Sequence, residues 1–334
     1  MQLVSMQGFA KDSVHKHGVA GMQASRLGGA ATILDGVCLL ITMPLMGITG
    51  SGSGPLGVDW FAWISVIGCM VLGLVEDIRN DSLSPRVRLA AKACIFGIAL
   101  WQWPILVPSS IGAPFIDQLL SIPALAFMLV LIFCVGCLNA INMADGANGL
   151  VSSIAVCFYV IFYQELGGLG FLVVLKSCSV FLIFSVISGR LFLGDADAYG
   201  VGTCILVTSL FCYSEGCVSL SFLAVLPCYP CLDFLFIIAR RFFKGRPVMH
   251  PDNDHLHNRI NFQYRKFFKS KNMANSGAGL TVAAASAGVA LWGYLSAWWS
   301  ITSGQWARIF AAQFVAYGLA YYFTGKSALE REAP

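Results

Sequence analysis

Charged side chains are scarce in this chain. They make up 11% of its 334 residues, whereas a soluble domain carries about 25%. Hydrophobic residues make up 57%, and the mean hydropathy is +0.74. These values exclude an ordinary soluble domain and predict a polytopic membrane protein. The net charge of +4 is small and gives no reason to expect nucleic acid as a partner.

The apolar residues form ten runs that approach the roughly 20 residues a helix needs to cross a bilayer. Because the runs are continuous rather than alternating, strands are not expected. The predicted fold class is therefore all-α, a membrane helix bundle with about ten transmembrane helices. The predicted spans are 27–48, 57–75, 91–108, 119–138, 149–164, 168–187, 199–213, 217–238, 277–298 and 305–323.

Lysine and arginine are concentrated in alternate loops, which places those loops and both ends of the chain in the cytoplasm. The predicted organisation is a single membrane domain. Its parts are a cytoplasmic segment 1–26, eight spans over 27–238, a basic loop 239–276, two spans over 277–323 and a tail 324–334. Segment 1–26 lacks the apolar core of a cleavable signal peptide.

Four polar clusters fall on the predicted cytoplasmic side. In the first, Glu76 and Asp77 end a span, and Leu83-Ser84-Pro85 predicts a turn followed by a helix start. Arg88 and Lys92 are four residues apart on that new helix and share one face. Acids that face a basic patch suit a metal ion with phosphates, although a solvated helix end would show the same acids.

The second cluster is NAINMADGANGL, residues 139–150, which lies between two apolar runs. It contains Asn139, Asn142, Asp145 and Asn148, and polar groups at a membrane boundary are functional candidates by default. The third is LFLGDADAYGVG, with Asp195 and Asp197. A polar helix cap and a plain acidic turn are the simpler interpretations of these two segments.

The fourth cluster is the basic loop, which holds His250, His255 and His257 beside Asp252 and Asp254. A zinc site is one alternative, but this loop has no cysteine to form a Cys/His pair at finger spacing. Histidine with arginine fits phosphate binding better, because each donates hydrogen bonds to anionic oxygens. An anchor to anionic lipid stays open as a third interpretation.

The four clusters together offer carboxylate ligands of the kind Mg²⁺ prefers and bases of the kind phosphates prefer. They predict phosphoryl transfer at a membrane surface, where catalysis rests on positioning and charge neutralisation. A substrate that is part lipid and part phosphate would explain the location.

In this order, the clusters resemble the polyprenyl-phosphate N-acetylhexosamine-1-phosphate transferases of glycosyltransferase family 4. NAINMADGANGL is similar to that family's N-x-x-N-x-x-D-G-x-(D/N)-G-L segment, and the similarity is the most specific of the set. The other similar segments are RLGG at 26–29, GLVEDIRNDSLSPRVRL, FLGDADAYGVG and PDNDHLHNRI.

The resemblance implies that a UDP-amino sugar donates its sugar-1-phosphate to undecaprenyl phosphate and that UMP is released. The reaction would start synthesis of a lipid-linked glycan (O-antigen, capsule or cell wall) at the cytoplasmic face of a bacterial inner membrane. It implies Mg²⁺ as cofactor, with Mn²⁺ as a substitute. The lipid bilayer is itself a partner, and small residues near 277–288 permit helix packing within the chain or in a homodimer.

The resemblance also implies roles for individual residues. Asp195 and Asp145 are the expected metal ligands. The catalytic set is completed by Glu76, Asp77 and Asn142. The expected substrate-binding residues are Arg88, Lys92, Asn148, Arg240, Arg241, His255 and His257. Asp233 matches an acid that ends a span in that family.

The chain departs from the family pattern at several points. Glu76 stands where Asp is usual, Asp197 where Gly is usual, and Asn258 where a last His is usual. The family's first membrane span is expected before the basic segment 11–29, where only ten residues precede Lys11. A second class therefore stays open: a member of weakened activity with a binding or scaffolding role.

A transporter is a third class, because an ionisable residue such as Lys176 within a span can mark a transport pathway. Transporters gather polar groups at the midplane and often show internal repeats. Here the polar clusters gather at one face and no repeat is visible, which disfavours that class. The two C-x-x-C pairs, Cys134/Cys137 and Cys228/Cys231, are read as small buried hydrophobes.

Overall fold

The computed structural model describes residues 60–79, 83–189, 193–245 and 254–325. Within these ranges the regular structure is entirely helical, which confirms the all-α expectation. Predicted span 27–48 and the RLGG motif lie outside the described residues, as do His250 and Asp252.

The described residues form thirteen α-helices and one 3₁₀ turn, Pro104–Leu106. A π-helical turn, Ala284–Gly288, joins α11 to α12. The helices are α1 Trp60–Ile78, α2 Pro85–Gln102, α3 Pro114–Leu120, α4 Pro123–Ala144, α5 Leu150–Leu166, α6 Leu169–Ser188, α7 Gly194–Ser214, α8 Leu220–Val225, α9 Cys228–Phe243, α10 Leu256–Tyr264, α11 Lys271–Ala283, α12 Val289–Leu295 and α13 Trp306–Thr324.

Four described segments are long and apolar enough to cross a membrane: α4, α6, α7 and the continuous helical segment Lys271–Leu295. The shorter α5 is also apolar. Exposed large hydrophobic side chains such as Ile132 and Ile187 fit a lipid-facing surface. The structure therefore agrees with a polytopic membrane bundle, and the number ten stays a prediction.

The prediction of one continuous span over 217–238 is wrong. The chain there forms two helices, α8 and α9, with a break at Leu226 and Pro227. Proline has no backbone N–H to donate and its ring clashes with the preceding turn, so a helix does not run through it without a kink or a break. Pro230 is tolerated because it lies in the first turn of α9.

Two helix starts matter for the polar clusters. The turn expected at Leu83-Ser84-Pro85 is confirmed: α2 begins at Pro85, and the Ser84 hydroxyl accepts from the Val87 N–H. In contrast, α7 begins at Gly194 rather than at residue 199. Asp195 and Asp197 therefore lie in the first turn of a helix, where the helix dipole favours negative charge.

Most described residues of the predicted basic loop 239–276 are helical, and its place between two spans stays a prediction. It contains the end of α9, all of α10 and the start of α11. The apolar runs stop short of the ends of α9 and α11 and miss α10, because these segments are polar and hydropathy alone does not register them.

Helix α7 lies at the centre of the bundle, and most of its residues are buried. It packs most closely on α1, where a Cβ added to Gly73 would lie 2.3 Å from the carbonyl oxygen of Asp195. Glycine at this position brings the two backbones into contact. The close approach places the C-terminal end of α1 directly beside the first turn of α7.

Candidate active site

The first-turn amides of α7 are bound by carboxylates from two other parts of the chain. Asp77, at the end of α1, accepts from the N–H groups of Asp195 at 3.0 Å and Ala196 at 2.9 Å. Asp145, which follows α4, accepts from the Gly194 N–H at 3.1 Å. Helix N-termini are natural anion sites. At the N-terminus of α7 the bound anions are carboxylates of the protein itself. Their hydrogen bonds bring together the clusters predicted at 76–77, 139–150 and 194–197.

The electrostatics of Asp145 reflect this crowding. Burial raises the pKa of the Asp145 carboxyl well above its ordinary value, and the hydrogen bond from Gly194 only partly opposes the rise. The negative charges of Asp195, Asp77 and Asp197 raise the pKa further. Asp197 is fully buried. A concentration of carboxylates in a partly desolvated place favours the binding of a cation.

The donor set fits a magnesium ion. Mg²⁺ is usually held by one or two carboxylates together with substrate phosphates and water. Asp145 and Asp195 come from different elements, lie close enough to interact electrostatically, and sit at the same helix end. They are the residues that would hold the ion, whereas both oxygens of Asp77 are engaged with the α7 backbone.

Lys92 is the buried cation beside this acidic cluster. It is 2% exposed, and its Nζ donates to Asn139 Oδ1 at 2.7 Å. The same Nζ lies 3.8 Å from the centre of the Tyr199 ring, a cation–π contact. Asn139 and Tyr199 therefore hold the ammonium group between α2, α4 and α7. Lys92 joins the basic cluster on α2 to the NAINMADGANGL segment.

Glu76 and Arg88 form the outer edge of the same region. Glu76 is 2% exposed and accepts from the Leu83 N–H at 2.9 Å. Its other oxygen lies 3.4 Å from the Arg88 guanidinium, which is partly exposed. Glu76 thus orients the turn that leads into α2. Its predicted contact with a lipid phosphate stays a prediction, and so does that of Asp77.

His255, which directly precedes α10, and His257, in its first turn, are stacked with ring centroids 5.2 Å apart. Asp233 Oδ2 binds His255 Nδ1 at 2.6 Å, and the Tyr229 hydroxyl binds His257 Nδ1 at 2.7 Å. Each histidine is thus fixed through its Nδ1 atom. A Cβ added to Gly146 would lie 2.6 Å from His257 Nε2, so this ring abuts the NAINMADGANGL segment.

Among the described residues, Asp233, His255 and His257 form a group whose potential ligand atoms lie close enough together to share one metal ion. Their contacts favour a hydrogen-bond network instead. Asp233 accepts from the Leu256 N–H and the Tyr317 hydroxyl in addition to binding His255. A metal would have to displace these bonds.

A second charged cluster ties together the ends of α9, α10 and α13. Arg240 binds the Asp254 carboxylate and the Tyr321 hydroxyl. Arg259 Nε donates to Asp254 at 2.6 Å, and its guanidinium lies 3.6 Å from the Tyr321 ring centre. Arg240 was predicted to bind phosphate. In the structure it is committed to a carboxylate, and Arg241 is buried beside it.

The two remaining predicted residues flank Asp145. The Asn142 carbonyl accepts from the Asp145 N–H at 3.3 Å and shapes the turn after α4. Asn148 is 3% exposed, and its amide donates to the Ser276 hydroxyl of α11 at 3.4 Å. Asn148 thus joins this segment to α11, and its expected contact with a nucleotide stays a prediction.

Sequence reasoning missed the tyrosines of this region. Tyr199, Tyr229 and Tyr321 each lie four residues from another member of the network: Asp195, Asp233 and Tyr317 respectively. Residues four apart share a helix face. That spacing is the signal that could have found them once the helices were located.

The fold and the site together define a membrane helix bundle with a polar site at one end of its helices, built from buried carboxylates, a buried lysine and paired histidines. The family described as Glycosyl transferase family 4 matches residues 60–213. That range contains the acidic cluster and Lys92, and the resemblance drawn from the sequence motifs is confirmed.

Curated relatives agree. A probable undecaprenyl-phosphate N-acetylglucosaminyl 1-phosphate transferase of Bacillus subtilis is 26% identical over 57% of this chain and 55% of its own length. A phospho-N-acetylmuramoyl-pentapeptide-transferase of Clostridium perfringens is 24% identical over 47% and 53%. A decaprenyl-phosphate N-acetylglucosaminephosphotransferase of Mycobacterium leprae is 27% identical over 70% and 66%. The chain spans about half the length of the first two of these relatives.

Proposed function

We propose that the protein transfers a sugar-1-phosphate from a UDP-amino sugar to undecaprenyl phosphate or a similar polyprenyl phosphate, with release of UMP. The names of the curated relatives support a polyprenyl-phosphate acceptor and an amino-sugar-type donor. The product would be the first lipid-linked intermediate of a cell-surface glycan.

The arrangement around the first turn of α7 carries this proposal. Carboxylates from α1 and from the segment after α4 converge on it, with a buried lysine on one side and paired histidines close to Gly146 on the other. A diphosphate with a divalent cation needs both kinds of group, since the acids bind the cation and the bases bind the phosphate oxygens.

The residues then divide into distinct roles. Asp195 and Asp145 hold Mg²⁺, for which Mn²⁺ can substitute. When bound, the ion would lower the negative charge of the donor diphosphate. Asp77 is a positioning residue, because it fixes the α7 turn that carries Asp195. Lys92, His255 and His257 bind phosphate oxygens, and the outer Arg88 meets the acceptor.

The location follows from the same chemistry. A polyprenyl phosphate keeps its chain in the bilayer and its phosphate at the surface, and the site lies at the ends of membrane-type helices. The basic loops at this end favour the cytoplasmic side of a bacterial inner membrane. A UDP-sugar donor is consistent with that side.

The test is release of UMP from purified protein with Mg²⁺, undecaprenyl phosphate and a panel of UDP-amino sugars. Asp195→Asn should lower the rate about 100- to 1000-fold, the effect typical of removing one electrostatic group from a transition state. Asp117→Asn is the matched control. Asp117 is half-buried and accepts from the Ile111 N–H in the loop before α3, so its loss should leave the rate unchanged.

Two outcomes would contradict the proposal. One is an equal loss of rate in both variants. The other is that the folded, correctly inserted protein binds a UDP-sugar but releases no UMP with any donor of the panel. That behaviour is expected of a member with a scaffolding role.

A further inference from the structure

A five-residue pattern occurs twice near the end of the chain. Residues 240–244 read Arg-Arg-Phe-Phe-Lys, and residues 265–269 read Arg-Lys-Phe-Phe-Lys. The first copy ends α9 and the second follows α10 directly. The recurrence is too short to be a structural repeat. It places the same side-chain chemistry at the ends of two helices, outside the carboxylate site.

The phenylalanines of both copies are exposed. Phe242, Phe243 and Phe267 are 74%, 84% and 81% exposed, and Phe268 is 39% exposed. A third helix, α13, ends in the same way, with Tyr322 and Phe323 exposed by 78% and 77%. Paired aromatic rings are thus exposed at the ends of three helices.

The three helix ends lie on the same side of the molecule. Arg240 near the end of α9 binds Asp254, which precedes α10, and Asp254 accepts from Arg259 within α10. Arg259 in turn donates to the backbone carbonyl of Tyr321, near the end of α13. Gln263, next to the last residue of α10, donates to the Thr324 backbone carbonyl at the end of α13. The three helix ends that carry the aromatic pairs therefore lie close to one another.

Among the residues that the structure describes, the exposed charges beside the aromatic pairs are all positive. The exposed charged residues beside the aromatic pairs are Lys244, Lys266, Lys269 and Lys271. The sequence has no aspartate or glutamate between His255 and Leu329. The nearby acid, Asp254, is already bound by two arginines. Aromatic rings interleaved with lysine favour the boundary between lipid tails and anionic headgroups.

We propose that Phe242-Phe243-Lys244, Phe267-Phe268-Lys269 and the Tyr322-Phe323 pair form a docking surface for an anionic phospholipid leaflet. The rings enter the headgroup boundary, and the lysines pair with headgroup phosphates. Helix α10 carries His257 in its first turn, and its last turn leads into this surface. Docking on the leaflet therefore fixes how deep in the membrane boundary the helix that bears His257 lies. The proposal does not depend on transferase activity.

The first test measures which lipids stay bound. Protein is placed in nanodiscs of mixed phosphatidylcholine and phosphatidylglycerol, and the retained lipids are counted by native mass spectrometry. The ratio of retained phosphatidylglycerol to phosphatidylcholine should fall about fivefold for each lysine removed in Lys244→Gln/Lys269→Gln. The matched control is Lys176→Gln, which removes an exposed lysine from α6 and should leave the ratio unchanged. An unchanged ratio in the double variant, or an equal fall in the control, would overturn the proposal.

The second test locates the contact by hydrogen exchange of peptide 262–271. Exchange should be slower in nanodiscs that contain phosphatidylglycerol than in purely zwitterionic ones. Phe267→Ser/Phe268→Ser should abolish the difference, and the control Phe115→Ser, which removes a 73% exposed ring from α3, should keep it. If exchange is independent of lipid charge, the leaflet does not cover the surface and a soluble acidic partner is the better explanation.

Discussion

The two charged regions of the molecule are built in opposite ways. Around the first turn of α7, the carboxylates of Asp77 and Asp145 bind backbone amides, and burial and neighbouring acids raise the pKa of Asp145. Around α10, Asp254 is bound by the side chains of Arg240 and Arg259. Partial burial raises the pKa of Asp254, but the arginines outweigh this and the net pKa is lowered.

Asp254 is thus compensated by neighbouring arginines, whereas the acids around the start of α7 repel one another. An acid paired with arginine is already compensated and stabilises the fold above its pKa. An acid surrounded by other acids is compensated only when a cation arrives, so its position favours function over stability. The comparison predicts opposite consequences for the same substitution in the two regions.

The largest expected effect comes from Asp145→Asn. The amide oxygen can still accept from Gly194, but a metal ligand is lost, so the rate of UMP release should fall about 100-fold or more. Without Mg²⁺, the thermal midpoint in detergent should stay level or rise, because a buried carboxylate among carboxylates is removed. A normal rate of UMP release in Asp145→Asn would contradict this contrast between the two charged regions.

Gly73→Ala tests whether the acidic region depends on the backbone contact between α1 and α7. The new Cβ would meet the Asp195 carbonyl at 2.3 Å, and overpacking of this kind costs about 1–3 kcal/mol. The rate of UMP release should fall with the thermal midpoint as Asp77 moves away from α7. Gly97→Ala is the control, since nothing lies within 4 Å of its added Cβ and alanine favours the helix.

Asp254→Asn tests the opposite region. It removes the partner of Arg240 and Arg259, and unfolding should become easier by about 1–2 kcal/mol after allowance for the partial exposure of the pair. The rate of UMP release measured at low temperature should change little. A large loss of rate with an unchanged thermal midpoint would show that this cluster belongs to the reaction site.

The smallest expected effect is the pH dependence of that cluster. The folded-state pKa of Asp254 lies below its ordinary value, so its contribution to stability is present above about pH 4 and is lost as the pH falls through the folded-state pKa. The difference in thermal midpoint between wild type and Asp254→Asn should therefore shrink as the pH is lowered from 6 to about 3. A difference that stays constant over this range would exclude ionisation as its origin.

The apolar runs and the polar motifs predicted different parts of the structure with different success. Continuous hydrophobicity located the described spans, because a bilayer selects length and composition directly. It predicted the start of α7 five residues too late, because the polar first turn of that helix has low hydropathy. It also predicted one helix through Pro227, because a single proline changes the hydropathy of a segment little. The motifs gathered Asp77, Asp145 and Asp195 correctly, because loops on one side of a membrane are already near one another.

Composition and the order of the motifs by themselves determined the all-α membrane class and the family resemblance. Tertiary structure alone decided that Asp77 and Asp145 bind backbone amides at the start of α7, and the close packing of α1 on α7 at Gly73 is part of that arrangement. It also decided that Arg240 pairs with Asp254 and that Asp233 and Tyr229 hold the two histidines. These partners lie 14 to 28 residues apart in sequence, so no local pattern encodes their contacts, and only the packing of the helices does.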